Sequence, residues 1–327
     1  MGDLSWLSYS YHLTDSVKKN DTTYYQLSFV PLRDAELNFT GFMWVNNKNY
    51  ALSHIHLKIN KTTNINYMNE LEMDFYFEKN GNYFIPSKEI IVPFQLELDD
   101  ENVKAIWCAR GGYGTVRIID ALDFTKFKKH PKWIMGFSDV TVLHSQLNIE
   151  RVATLHSIMP FTVPKAPEEV KETLRKALFG ETISYTIPSK SYDVKGTASG
   201  ELLGGNISIL YSLLGSKSSI DTKGKILFIE DLDEYLYHID RMMYNLKRNG
   251  YFENVKGIIV GSMTDMHDNE IPFGHNEVQI ITEIAKENRI PIAFEFPAGH
   301  QSDNRTLILG QQVVFEVNES EVVLSFK

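Results

Sequence analysis

The chain has 327 residues, enough for two domains or one large one, and 43% hydrophobic residues support buried cores. A formal net charge of −9 argues against a nucleic-acid or anionic-membrane partner, and no run approaches the roughly 18 apolar residues that would span a bilayer. The single cysteine, Cys108, excludes an internal disulfide; with a first stretch (residues 1–6) unlike a signal peptide, the expected compartment is the cytoplasm.

Residues 1–95 have the texture of antiparallel β structure. Residues 24–32 and 37–45 are rich in aromatic and β-branched side chains, and residues 46–49, Asn-Asn-Lys-Asn, read as a turn between two such runs. In residues 53–58, Ile55 and Leu57 alternate with His54 and His56. Leu71, Met73, Phe75 and Phe77 alternate with polar neighbours in the same way, which predicts one buried face; Asn80-Gly81 then predicts a hairpin before residues 83–85. A short acidic linker is expected at residues 95–101.

From about residue 100 the pattern becomes α/β. Residues 103–108 predict a buried strand that runs into Arg110-Gly111-Gly112-Tyr113-Gly114. Residues 133–135 predict a second strand, followed by a helix through Val140 to Leu143. A linker is expected over 166–195, around a charged helical stretch at 168–178. Residues 202–214 read as an apolar helix, 225–229 as a strand, and 235–248 as a helix with Leu236, Ile239, Met243 and Leu246 on one face. A strand at 255–260, a helix at 278–287, a strand at 290–296 and a closing hairpin at 312–326 complete the series. The fold class expected is thus α/β: a parallel-sheet lobe at 96–165 and an α/β C-terminal lobe at 196–327, preceded by an antiparallel β-rich segment at 1–95.

Three predicted strand ends carry complementary chemistry. The first gives Ser138, the second Glu230, and the third leads to His300. A serine hydroxyl becomes nucleophilic when a base takes its proton, and a histidine is the better base when a carboxylate holds its tautomer. The N–H of Asp139, at a predicted helix start, and an N–H of the glycine-rich turn can stabilise an oxyanion. Each feature has a plainer reading. Ser138 and Asp139 also fit a helix N-cap, the glycines an ordinary turn, Glu230 a solvated acidic helix start and His300 a loop position. Gly-Phe-Ser-Asp-Val lacks the second glycine of a G-x-S-x-G elbow. His54 and His56 offer a metal only two ligands, with no third in view.

Six motifs in order resemble the LD-carboxypeptidase family, the serine peptidases of clan S66. They are AIWCARGGYG (105–114), IMGFSDVTVLH (134–144), GELLGGNISIL (200–210), ILFIEDLDEYLYHIDRMM (226–243), GIIVGS (257–262) and PAGH (297–300). The resemblance covers about 96–327. It implies Ser138 as nucleophile, Glu230 as triad acid, His300 as base, and oxyanion-hole amides from Gly112 and Asp139. It further implies hydrolysis of the L,D-amide to terminal D-alanine in murein tetrapeptides during peptidoglycan recycling, without metal or cofactor, and leaves room for a homodimer. Residues 1–95 depart from the pattern: the family's opening strand, helix and second strand are not visible, so its nucleophile lobe is truncated here. Residues 24–92 instead resemble a β-rich piece of a Bacteroidetes cell-envelope protein of unknown function. Two other functions compete, a microcin-immunity-type amidase using the same triad and a non-catalytic envelope-binding module working through the β segment.

Overall fold

Alternating side chains in the first part of the chain do produce strands. The computed structural model describes residues 9–19, 21–31, 39–48, 52–59, 72–80, 83–86, 91–285 and 290–327. They divide into two units, Met1–Leu96 and Glu97–Lys327. In the first, β1 (Tyr9–Lys19), β2 (Thr22–Pro31), β3 (Phe39–Asn46), β4 (Leu52–Ile59), β5 (Glu72–Asn80) and β6 (Tyr83–Pro86) form a sheet in sequential order. Every neighbouring pair is antiparallel. The turn after β3 is fixed by Asn47, whose N–H donates to Thr23 O at 2.9 Å. Strand β1 was not foreseen from the sequence. The face expected from Leu71, Met73, Phe75 and Phe77 falls on side chains outside the described residues.

The acidic linker expected at 95–101 is instead mostly helical. Helix α1 (Ile91–Asp99) carries the chain across the boundary between the units, and Leu98 on it is 1% exposed. Its end is held by a buried lysine: Lys132 Nζ donates to the carbonyls of Glu97 (2.9 Å), Leu98 (2.9 Å) and Asp100 (2.6 Å). The last carbonyls of a helix lack intrahelical donors, and an ammonium group supplies three at once. The cap comes from more than thirty residues away, so local composition could not reveal it.

The second unit continues with β7 (Ala105–Trp107), α2 (Thr115–Ile118), β8 (Trp133–Gly136), α3 (Thr141–Ile149), β9 (Thr154–His156) and α4 (Glu168–Leu178). It goes on through β10 (Ser184–Pro188), β11 (Gly196–Asn206), α5 (Ile207–Ser212), β12 (Ile226–Leu232), α6 (Leu236–Arg248), β13 (Gly257–Thr264) and α7 (Glu277–Ala285). It ends with β14 (Ile292–Ala293), β15 (Leu307–Leu309), β16 (Gln312–Val317) and β17 (Glu321–Phe326). One sheet has the order β15-β9-β8-β7, with β7, β8 and β9 parallel and β15 antiparallel to β9. The other has the order β10-β17-β16-β11-β12-β13-β14.

Three expectations change here. Residues 202–206, read as helical, belong to β11. Its first half pairs antiparallel with β16 and its second half parallel with β12, so Leu202 and Leu203 are buried on opposite faces. Two-sided burial produces the apolar run that imitates a buried helix. The stretch 166–195, expected as a linker, contains α4 and β10, and β10 extends the larger sheet through β17. Strand β15 joins the sheet of β7, β8 and β9 although it lies near the C-terminus, so residues 97–327 pack as one unit rather than two lobes and a linker. A core that includes Met135, Leu155, Phe228, Ile259, Leu307 and Phe315 unites the two sheets. The opposite face of the larger sheet is covered by α6 and α7 through Ile239, Met243, Leu246, Ile280 and Ile284.

Candidate active site

Strand β8 delivers Ser138. Phe137 is extended (φ −150°, ψ −174°), Ser138 has φ +64°, and a 3₁₀ turn, Ser138–Val140, leads into α3. A left-handed φ on a non-glycine residue costs on the order of 1 kcal/mol or more and recurs where a nucleophile must stand clear of its strand. The elbow therefore forms without the second glycine of the usual motif. On the upstream side Gly111 permits the close approach of the glycine-rich turn: a β-carbon there would lie 3.2 Å from Ser138 Oγ.

Asp139 ties that turn in place. Its Oδ2 accepts the Gly114 N–H (3.1 Å), the Thr115 N–H (3.0 Å) and the Thr115 hydroxyl (2.7 Å), thereby capping α2. The sequence offered Asp139 as a backbone amide or as an N-cap, but not as a clamp on the turn some 25 residues upstream. Its N–H lies in the first turn of a helical segment, where a backbone donor has no intrahelical acceptor. Gly112 lies beside the Asp139 carboxylate, with a β-carbon position 3.8 Å from Asp139 Oδ2.

Glu230 ends the apolar part of β12 and is completely buried. Its Oε2 accepts His300 Nδ1–H at 2.6 Å and the His300 backbone N–H at 3.2 Å. The remaining ring nitrogen, Nε2, then carries the lone pair of a base. Burial alone would lower the His300 pKa, but the Glu230 hydrogen bond and charge, with Asp231 behind them, outweigh it and raise the pKa above its ordinary value. The His300 ring packs against Phe137, the residue before Ser138, with centroids 4.8 Å apart. No described hydrogen bond joins Ser138 Oγ to His300. The fold thus gathers all five predicted residues: Ser138, Asp139 and Gly112 around the elbow, and Glu230 with His300 beside it.

Further residues brace the site. Asn206, at the end of β11 opposite Glu230, donates its N–H to Thr141 Oγ1 (3.1 Å) and its Nδ2 to Asp231 Oδ1 (2.9 Å). Burial, and then the Glu230 charge, push the Asp231 carboxyl up to about 6. His144 Nε2 donates to Gly136 O at 2.9 Å, at the root of the elbow. Cys108 is no competing nucleophile, since burial and the Asp139 charge push its thiol up to about 12. Both His54 and His56 pack on Phe42, and among the described residues no group of three or more His, Cys, Asp or Glu side chains is arranged to hold a metal.

Comparison with known proteins agrees with this architecture. The probable murein peptide carboxypeptidase of Bacillus subtilis (strain 168) is 36% identical over 235 residues, covering 69% of this chain and 72% of that protein. The chain belongs to the LD-carboxypeptidase family. The LD-carboxypeptidase C-terminal domain matches residues 199–315 and the N-terminal domain residues 52–157. A family of unknown function matches residues 3–98. The last two matches overlap over 52–98, a stretch that includes the antiparallel strands β4, β5 and β6, so the N-terminal-domain match reaches into the segment expected to depart from the family. The murein tetrapeptide carboxypeptidase of Pseudomonas aeruginosa is 28% identical, over 67% of this chain and 75% of that one. The muramoyltetrapeptide carboxypeptidase of Oxalobacter formigenes superposes with a TM-score of 0.66 at 25% identity, covering 73% and 82% of the two chains. A microcin C7 self-immunity protein shares the fold of this LD-carboxypeptidase family member at a TM-score of 0.65 and 21% identity, over 76% and 84%. No helix among the described residues is long and apolar enough to cross a membrane.

Proposed function

We propose that this enzyme is a serine LD-carboxypeptidase that releases terminal D-alanine from murein tetrapeptides, with Ser138, His300 and Glu230 as its triad. The observation that carries the residue roles is the buried Glu230–His300 hydrogen bond beside a serine held at left-handed φ. Ser138 Oγ attacks the scissile carbonyl while His300 Nε2 accepts its proton. The N–H groups of Gly112 and Asp139 take the charge that develops on the carbonyl oxygen. His300 then passes the proton to the departing D-alanine amine, leaving an acyl-enzyme on Ser138. Water, deprotonated by the same histidine, hydrolyses the ester. Glu230 keeps Nδ1 protonated and stabilises the imidazolium in both halves.

The carboxypeptidase relatives favour this substrate over a peptidyl-nucleotide, because the microcin-immunity likeness extends to the fold alone. A purely binding role would have no use for the Glu230–His300 pair. The reading places the enzyme in cytoplasmic peptidoglycan recycling. The test is D-alanine release from a muropeptide tetrapeptide, with Ser138→Ala expected to abolish it while the fold persists. Equal rates for wild type and Ser138→Ala would refute the assignment.

A further inference from the structure

Buried side-chain atoms without a hydrogen-bond partner among the described residues cluster near the Glu230–His300 pair: Glu230 Oε1, Ser262 Oγ, Asn304 Nδ2 and both ring nitrogens of His156. The Glu230, Ser262 and Asn304 side chains converge on Gly299. The Asn304 carboxamide oxygen accepts the Gly299 N–H at 2.9 Å. A β-carbon on Gly299, whose φ is +109°, would lie 2.5 Å from Ser262 Oγ and 2.8 Å from Glu230 Oε2. The hydroxyl and the carboxylate therefore pack against the same face of Gly299, too closely for any residue but glycine. Strand β13 lies directly against Glu230, since a β-carbon on Gly261 would sit 3.2 Å from Glu230 Cβ. The Ser262 N–H donates to Ala298 O at 2.9 Å, which fixes β13 to the loop that presents His300.

The orphaned atoms of Glu230, Ser262 and Asn304 are chemically complementary. Glu230 Oε1 is a charged acceptor without a donor, Ser262 supplies one O–H, and Asn304 Nδ2 supplies N–H groups without an acceptor. A dry, unpaired carboxylate oxygen is costly, and the cost falls when a donor reaches it. We propose that Ser262 and Asn304 are positioning residues that donate to Glu230 Oε1, through rotation of the Ser262 side chain or through one shared buried water, and so keep Glu230 ionised and aimed at His300. Three polar partners are what a buried water needs. The inference rests on the triad reading and deepens it.

Other titratable groups also lie around the pair. Asp231 is engaged by Asn206, by the N–H and hydroxyl of Ser208, and by the Leu232 N–H. His156 interacts with His300 from β9 and lies near His144 on α3, with ring centroids 6.5 Å apart. Burial lowers the pKa of both, that of His144 to about 4.

The test is the rate at which a fluorophosphonate probe acylates Ser138, measured against pH. Ser262→Ala should slow labelling by about ten- to a hundredfold, the scale of a lost hydrogen bond to a charged group. It should also move the acid limb upward by about half a pH unit, because a carboxylate with one donor fewer holds the imidazolium proton more firmly. Ser262→Thr, which keeps the hydroxyl, should recover most of the rate. In a Glu230→Gln background, Ser262→Ala should have no further effect. Labelling of Ser262→Ala within about twofold of wild type with an unmoved limb overturns the inference. An equal loss in the Glu230→Gln background overturns it too, by showing that the effect does not pass through Glu230. A wild type that is not labelled at Ser138 refutes the triad reading itself, and the inference with it.

Discussion

Removing the Asp139 side chain separates the two jobs that residue performs. Its carboxylate is 6% exposed and holds the glycine-rich turn by three hydrogen bonds, two to backbone N–H groups and one to a hydroxyl. Asp139→Ala leaves the Asp139 N–H in place but frees Gly114 and Thr115. Released N–H groups regain water, so the stability lost should resemble that of a missing helix cap, about 1–2 kcal/mol. For a unit of this size that is a fall of roughly 2–8 °C in Tm. The loss in activity should be much larger. Once the turn drifts, the Gly112 amide leaves the position of the developing oxyanion, and removal of one such donor costs about a hundred- to a thousandfold in kcat. KM should change little, since the oxyanion contact matures only in the transition state. Asp139→Asn, which retains one acceptor oxygen, should fall between. The assay is steady-state D-alanine release together with a thermal melt of each variant. An Asp139→Ala enzyme with kcat within about threefold of wild type would refute the claim that this carboxylate positions the oxyanion hole.

Three further predictions follow from the same geometry. His300 must be neutral to accept a proton, and its pKa is raised, so kcat/KM should climb through an acid limb centred above about 6.5. The linked stability is fully present below the unfolded pKa and is lost as pH rises through the folded one; Glu230→Gln should shift both transitions downward, and an unmoved limb would contradict this. Lys132→Met should cost about 2 kcal/mol by uncapping α1 and should speed protease cleavage within 91–101, whereas unchanged cleavage would show that the cap does not hold the helix. EDTA should leave D-alanine release unaffected, and a rate abolished by EDTA and restored by zinc would exclude the serine mechanism.

The sequence by itself determined the elements whose signal is local. Period-two alternation marks β4 and β5, aromatic and β-branched composition marks β3, and helical periodicity marks α6, while Ser138, Glu230 and His300 stood out as candidates near predicted strand ends. The candidate nucleophile, base and acid could be named because six motifs in order resemble a known family; residue type and position alone left plainer readings open. Tertiary structure decided whatever depends on a distant partner. Leu202 and Leu203 are strand rather than helix because they pair with β12, in a strand whose first half pairs with β16. Residues 91–99 are helical with an end capped by Lys132, and β15 completes the sheet of β9 across some 150 residues of chain. The left-handed Ser138, the Asp139 clamp and the close packing of Gly299 against Glu230 likewise arise only when separate strands and turns meet. Local propensity is a property of neighbours in sequence, whereas burial, capping and strain are imposed by neighbours in space.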